Sequence, residues 1–255
     1  MKIKNRRVFF LLIAALIIPL ILMIIGSKTG HKSWNSLIEF EALKLRRQNG
    51  PIPFREGERF LYDIILGLFK AGSAELIFHG LDTLDGREVY VITLETKLTN
   101  FHDKEKIYAD VNNFYPVRVE RDINMWGRSI EIVEDYNQND KFVKIQKKEW
   151  GRTKVQTIHS DKKIQNAILL IYFYRNSKFK EDSVFAFNLP TKKINMKLSK
   201  IEEIRVPKGT YKAQLLKSMP GQYKVWFDTT KEKIPLRIDG MMSFTGGRMV
   251  LSEIH

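Results

Sequence analysis

The feature that most constrains the fold is an alternation of apolar and polar residues along most of the chain. Its first stretch places Phe60, Tyr62, Ile64, Leu66 and Leu68 on one face of an extended segment. About a dozen such stretches occur with polar or glycine turns between them, which is typical of antiparallel sandwiches and barrels. We therefore expect an all-β fold, mainly an antiparallel curved sheet or half-barrel, or a sandwich. Further predicted strands cover residues 72–78, 88–98, 104–111, 115–122, 128–136, 141–149, 152–160, 183–188, 192–206, 209–218, 222–228, 235–241 and 248–254.

Residues 161–175 depart from this pattern. Ile164, Ala167, Ile168 and Ile171 recur at the spacing of one face of a helix, and the aspartate at the first position is suited to cap it. The second half of the segment is apolar on nearly every side. Because such a helix must be buried, we expect it to plug or cover a curved sheet.

The N-terminus carries a run of 19 uncharged residues, residues 8–26. A helix of this length spans roughly 28 Å, close to the ~30 Å of a bilayer core. A cleaved signal has a shorter apolar core and ends in small residues, whereas bulky Ile24 and Ile25 precede Gly26. We predict an uncleaved signal-anchor, a transmembrane helix, within residues 1–26; a cleaved signal and a buried core helix are alternatives. The predicted anchor residues are Val8, Phe9, Leu11, Leu12, Leu16, Ile17, Leu20, Ile21, Ile24 and Ile25.

The basic residues that flank this run predict its orientation. Lys2, Lys4, Arg6 and Arg7 precede it, so the positive-inside rule places the N-terminus in the cytoplasm and the rest of the chain outside. We expect a single-pass protein of a bacterial inner membrane with a periplasmic domain, or a periplasmic protein if the signal is cleaved. The chain has no cysteine, which excludes disulfides, thiolate metal sites, a cysteine nucleophile and lipidation of an N-terminal cysteine.

Residues 27–53 are predicted to form a juxtamembrane helix and linker. Apolar residues, among them Trp34, recur at helical spacing up to Gly50, and this helix lies either on the membrane surface or on the domain. The sequence from residue 54 to residue 255 has no long linker or repeat, which favours one β-rich extracytoplasmic domain over two domains divided near Asp161.

The net charge of the chain is +14, of which residues 1–33 supply six basic side chains and no acidic one. The remaining excess is spread along the domain, and such an excess attracts anionic surfaces, for which lipid headgroups are the available class. No basic run with interleaved aromatic residues suggests a nucleic-acid site, so no nucleic-acid partner is expected.

Signatures of catalysis or metal binding are missing from the sequence. The five histidines lack the spacings of metal ligands, and there is no nucleophile elbow, phosphate loop or dinucleotide fingerprint. We expect no catalytic residue, no metal site and no cofactor. An enzyme would need convergent titratable groups, for example around His159, Asp161 and Arg175.

Three groups of residues resemble a bacterial envelope family called domain of unknown function 3108. They are GERFLY at residues 57–62 with KAGSA at 70–74, the helix 161–175 ending in YFYR, and VPKGTYKA from residue 206 with the later VWFD and IPL. The resemblance implies an exported protein with no established activity. A strand-rich fold with one apolar helix is also similar to the curved half-barrels of lipoprotein carriers, which enclose lipid.

These features lead to three hypotheses about function. The first is a non-enzymatic, membrane-tethered envelope protein that binds a lipid or another apolar ligand in a curved β-sheet. The second is a structural or assembly factor that acts through envelope protein partners, and the third is an enzyme acting on envelope glycan or lipid. The residues expected to contact an apolar ligand are Tyr62, Ile168, Ile171, Tyr172, Arg175, Tyr211 and Trp226.

Overall fold

The computed structural model describes residues 52–177, 182–219, 221–240 and 247–255. The predicted signal-anchor, with its anchor residues Val8 to Ile25, and nearly all of the juxtamembrane segment lie outside these residues. Among the described residues, no helix combines the length and the apolar character needed to cross a membrane.

In the described part of the chain, fourteen strands form one sheet in which every neighbouring pair is antiparallel. The first eight strands and the last six each pair in chain order, and the first strand joins the two groups by pairing with the fourteenth. The expected antiparallel all-β sheet is therefore confirmed. The strands are β1 Glu58–Leu66, β2 Phe69–Leu84, β3 Arg87–Leu98, β4 Phe101–Asp110, β5 Pro116–Met125, β6 Arg128–Asn137, β7 Phe142–Glu149, β8 Arg152–His159, β9 Val184–Leu189, β10 Lys192–Val206, β11 Gly209–Met219, β12 Lys224–Asp228, β13 Pro235–Asp239 and β14 Arg248–Ile254.

The first strand shows how the alternation in the sequence produces the sheet. Phe60, Tyr62 and Ile64 are buried in the core, as expected from their period of two. The same pattern placed Leu68 on this face, but β1 ends at Leu66 and Leu68 lies exposed in the turn to β2. The alternation therefore predicts correctly which face of the strand is buried, but it does not predict where the strand ends.

The helix is shorter than the predicted segment 161–175. It is α1, Leu169–Arg175. The backbone before it is held by other parts of the chain: Ile164 forms a bridge with Asn188 of β9, and its N–H and C=O bond the Gln138 side chain at 3.0 and 2.9 Å. These groups are thus not available to a helical ladder, so the predicted first turns are absent.

The side chains of α1 are all buried, which confirms that the helix is enclosed by the sheet. Tyr172 contacts Phe78 of β2 at a ring distance of 5.7 Å, and Phe173 contacts Phe187 of β9 at 5.9 Å. Six strands separate β2 from β9 in the sheet. A flat sheet would place them roughly 34 Å apart, three times the width of a helix, so the sheet must curve around α1.

Among the described turns of the sheet, three two-residue turns have positive φ at both positions, as in a type I′ turn. Their first residues are Asp85 (φ 50°), Trp126 (φ 51°) and Trp150 (φ 52°), and each is followed by a glycine. Aspartate and asparagine accept this left-handed conformation, whereas a bulky aromatic residue rarely adopts it. The two tryptophan turns therefore carry local strain that the aspartate turn does not.

Replacing Trp150 with asparagine is expected to raise the free energy of unfolding by about 1 kcal/mol, because the strain is relieved and an exposed ring loses little packing. Urea denaturation of the two chains measures the difference. Asp85→Asn is the control, since its turn already has a favoured residue. A destabilised Trp150→Asn chain would show that the ring packs on the domain after all.

Candidate functional site

The concave side of the sheet around α1 is the candidate site. An apolar cleft lies there between α1 and strands β9 to β13, and its volume is about 30 Å³. Pockets for small-molecule ligands usually measure about 300–1,000 Å³, so a ligand enters this cleft only if its walls move. The lining residues are Ala167, Leu170, Ile171, Leu189, Ile194, Met196, Leu216, Tyr223, Val225, Phe227, Ile238 and Asp239.

The last residue of α1, Arg175, has a guanidinium group with no exposure to solvent. Its two terminal nitrogens donate to the two carboxylate oxygens of Glu58 on β1, with an Nη2–Oε2 distance of 2.9 Å. The Nε atom donates to the Glu232 carbonyl at 3.0 Å. Bidentate pairing of this kind provides acceptors for the N–H groups of a buried arginine and fixes the orientation of its side chain. It therefore holds the C-terminus of α1 against β1.

Aromatic rings enclose the same guanidinium. Its carbon lies 5.1 Å from the ring centre of Phe54, 5.2 Å from that of Phe60 and 5.8 Å from that of Tyr172. Cations within about 6 Å of a ring face are attracted by its quadrupole. The rings therefore add to the ion pair and exclude water from it.

Two buried polar atoms near α1 have no hydrogen-bond partner among the described residues: the Tyr172 hydroxyl and Nε2 of Gln165. The neighbouring hydroxyl of Tyr62, by contrast, donates to the Pro235 carbonyl at 2.9 Å. Burial raises the pKa of both tyrosines, so both keep their protons. A buried donor without an acceptor lowers the stability of the fold by about 1–3 kcal/mol. The interior around α1 therefore contains hydrogen-bonding groups that the described part of the protein does not use.

A second cluster on the concave side is charged and lies on β4, β5 and β6. Arg121 pairs with Asp103 at 2.8 Å and lies 3.9 Å from Glu105, which stands opposite it in the register of the two strands. On β6, the Tyr136 hydroxyl donates to Glu134. Burial raises the pKa of both glutamates, so they hold protons more readily than exposed ones do.

This cluster is connected to the start of the helix through Asn166. The Asn166 amide donates to Glu105 at 2.9 Å, and its oxygen accepts from the backbone N–H of Ile168 at 2.8 Å. One side chain therefore holds the backbone just before α1 and ties it to β4. No group of three His, Cys, Asp or Glu side chains suited to a metal ion is found in the described part of the chain.

The family model described as Protein of unknown function (DUF3108) matches residues 61–252, well over half of the chain. The chain belongs to this family. The resemblance drawn from its motifs is thereby confirmed.

Several solved structures are similar to this DUF3108 chain. A β-barrel-like protein of the DUF1849 family from Brucella abortus has a TM-score of 0.46 at 9% identity, covering 78% of this chain and 96% of its own. A protein from Bacteroides fragilis described as exported, with a YmcC-like fold, scores 0.28 at 8% identity, with 80% and 98% covered. A protein from Parabacteroides distasonis described as a lipoprotein scores 0.26 at 10% identity, with 79% and 96% covered. None of the curated proteins matches the chain.

The structure brings together most of the residues predicted to contact an apolar ligand. Ile171 lines the cleft, while Tyr62, Ile168, Tyr172 and Arg175 are buried around α1. In this conformation the polar groups of Arg175 are used within the protein. Contact of these residues with a ligand stays a prediction.

Two predicted residues of the DUF3108 chain lie away from the cleft. Tyr211 is half-buried near the start of β11. Trp226 lies on β12 between the cleft residues Val225 and Phe227, so its side chain points to the opposite face, where its indole N–H donates to Glu202 at 2.6 Å. Aromatic content alone does not distinguish the two faces of a strand.

The residues named for an enzymatic site are also separated by their contacts. His159 packs on Phe142, with ring centres 5.6 Å apart, and Asp161 accepts from the Asn188 amide at 3.4 Å. Arg175 is bound to Glu58. Within the described residues, no hydrogen bond or ion pair joins the three groups.

The charged cluster was missed by sequence reasoning. A signal for it exists, since Asp103 and Glu105 stand two residues apart, on the face of β4 that also carries the core residue Ile107. Charged residues at inward positions of an alternating strand indicate a polar network in the interior.

Replacing Arg175 with methionine is expected to lower the free energy of unfolding by about 3–5 kcal/mol, because Glu58 then remains in the interior without its partner. Adding Glu58→Gln should recover part of this loss. Lys148→Met, which breaks the exposed pair with Glu131, serves as control and should cost under about 1 kcal/mol. Urea denaturation distinguishes these results; equal losses for the two single variants would contradict the role given to Arg175.

Stability should also depend on pH through Glu134. Its raised pKa means that the folded chain binds this proton more tightly than the unfolded chain, so the stabilisation is complete below the ordinary value of 4.5 and is lost as the pH rises through the raised value. Glu134→Gln keeps an oxygen for the Tyr136 hydroxyl and removes this titration.

The unfolding free energy of the wild type should therefore fall relative to that of Glu134→Gln between about pH 5 and about pH 8. Denaturation curves at both pH values test this. Glu131→Gln, on an exposed position of the same strand, controls for the loss of charge itself. A difference that stays constant with pH would refute the prediction.

Proposed function

We propose that this protein is a non-enzymatic envelope protein that binds an acyl chain or a similar apolar ligand in the cleft between α1 and strands β9 to β13. The lining of the cleft carries this proposal. Asp239 is the only charged residue among the twelve described residues that line it, and it belongs to the end of β13. A ligand without polar groups needs no more than such a surface.

The way in which α1 is held supports a movable wall. Its polar ties lie at its two ends, at Asn166 and at Arg175, whereas Leu170 and Ile171 face the cleft from between these ties. Hydrophobic contact is non-directional, so an acyl chain replaces the contacts of Leu170 and Ile171 with the sheet by equivalent ones. The flexible side chain of Met196 in the opposite wall adapts to either packing.

The location proposed for this activity is the outer side of a bacterial inner membrane. The basic residues before the apolar run at residues 8–26 and the length of that run support a single-pass tether with a cytoplasmic N-terminus. Release into the periplasm after signal cleavage is the alternative, and it leaves the cleft unchanged.

The test is photolabelling of the full chain with a diazirine-bearing fatty acid, followed by mass spectrometry of its peptides. Peptides that contain α1, β10 and β12 are expected to be labelled. Ala167→Leu fills the cleft and should reduce this labelling at least several-fold. Ala186→Leu is the matched control, because Ala186 alternates with the core residues Phe185 and Phe187 on β9 and lies on the other face.

Peptide-level readout separates the cleft from the apolar N-terminal segment, which also takes up fatty acid. Labelling confined to that segment, or unaffected by Ala167→Leu, would overturn the proposal. That result would favour the assembly-factor hypothesis, for which β8 offers an exposed strand with no pairing partner on its outer edge among the described residues.

A further inference from the structure

One end of the sheet carries a concentration of exposed apolar side chains. In a meander, alternate turns lie at the same end, so the turns β1–β2, β5–β6 and β7–β8 share one end. Four of the seven large apolar residues exposed in the described part of the chain belong to these turns: Leu68 (90% exposed), Phe69 (78%), Trp126 (49%) and Trp150 (77%). We call these four residues the tip residues.

The two tryptophans occupy equivalent positions in a repeated tripeptide, Trp126-Gly127-Arg128 and Trp150-Gly151-Arg152. Both have the left-handed backbone conformation that aromatic residues rarely adopt. Folding alone favours asparagine or aspartate there, and an unfavourable residue at an exposed position points to a function. Packing within the domain therefore does not explain these exposed rings and the arginine that follows each of them, whereas binding to another surface does.

A basic hollow of about 420 Å³ adjoins Trp150 and is lined also by Lys147, Glu149, Arg152 and Lys154. Lys147 and Lys154 stand directly opposite each other in the register of β7 and β8. Like charges in this position repel. Burial and the nearby cations Arg128 and Lys154 lower the pKa of Lys147.

The single acid of this basic hollow does not neutralise it. Glu149 is shared between Lys147, at 2.9 Å, and Arg128. With Arg152 and Lys154 added, four cations face one carboxylate, so an anion bound here would relieve their repulsion.

We propose that this end of the sheet docks on an anionic lipid bilayer, with the tip residues at the level of the headgroups and the basic hollow against lipid phosphates. Tryptophan is the residue type that bilayer interfaces favour, and lysine and arginine near such a surface each strengthen binding. The combination of rings and cations fits an anionic bilayer by charge complementarity. Docking rests on the tip residues and the basic hollow, and not on ligand binding in the cleft.

The docking end lies opposite the end at which the chain enters β1. Strand β1 begins at Glu58 and runs toward the turn that carries Leu68, so residues before it enter the sheet at the opposite end. The membrane contact proposed for the tip residues is therefore separate from the proposed N-terminal tether.

Because the chain has no cysteine, single cysteines can carry a nitrobenzoxadiazole label. Thr99→Cys labels the exposed β3–β4 turn beside the tip residues, and Asn139→Cys labels the exposed β6–β7 turn at the other end. The full chain is reconstituted in phosphatidylcholine vesicles with or without phosphatidylglycerol. Doxyl-lipid quencher is present in these vesicles and in added protein-free vesicles, so contact with either surface is detected.

Quenching of the Thr99→Cys label, dependent on phosphatidylglycerol and absent from the Asn139→Cys label, is the expected result. Equal quenching at both ends, or quenching at Thr99→Cys without phosphatidylglycerol dependence, would overturn the proposal. Ala167→Leu should leave the result unchanged, so a failure of ligand binding in the cleft is distinguishable from a failure of docking.

Variants identify the groups responsible. Trp126→Asn with Trp150→Asn should abolish quenching while the thermal unfolding midpoint stays the same or rises, which excludes misfolding as the cause. Each of Lys147→Gln, Arg152→Gln and Lys154→Gln should weaken binding about fivefold.

Leu81→Asn with Ile201→Asn removes two apolar residues exposed elsewhere on the domain and serves as the matched control, with quenching retained. Quenching that survives the loss of both tip tryptophans, or that is lost equally in the control, would refute the assignment.

Discussion

The ion pair between Arg175 and Glu58 is the interaction on which the arrangement of the interior depends. It joins residues 117 positions apart in the chain and holds the end of α1 against β1, the strand that also connects the two halves of the sheet. A buried ion pair stabilises little by itself, because desolvation offsets much of the attraction. Its main effect is on the orientation of α1, because it determines which side of the helix faces the cleft.

Because the sheet is curved, it leaves apolar surface on its concave side, and α1 covers part of this surface. The concave side of the curved sheet carries an apolar region that water would otherwise contact, and the seven buried residues of α1 pack against it. The helix thus takes the place that an apolar ligand would have, and this explains why the cleft is small in this conformation. Under the proposed function, ligand binding would exchange one apolar surface for another.

Local patterns were enough to predict the strands, the buried helix and the family, because faces and turns follow from residues near in sequence. Contacts between distant residues could not be read in this way. The helix begins late because Gln138 and Asn188 hold the backbone of Ile164, and the charged cluster exists only because β4 and β5 bring Glu105 and Arg121 together. The strain at Trp150 likewise depends on a turn conformation that the alternation does not specify.

The three turns with two positive φ angles offer a comparison within one molecule. All have the same backbone form, yet Asp85 lies at one end of the sheet while Trp126 and Trp150 lie at the other. If the turn conformation alone determined the residue, the two ends would carry the same types. At Trp150 the departure occurs beside the basic hollow. This is the result expected if contact with an anionic surface, and not the turn conformation, determines the residue at that position.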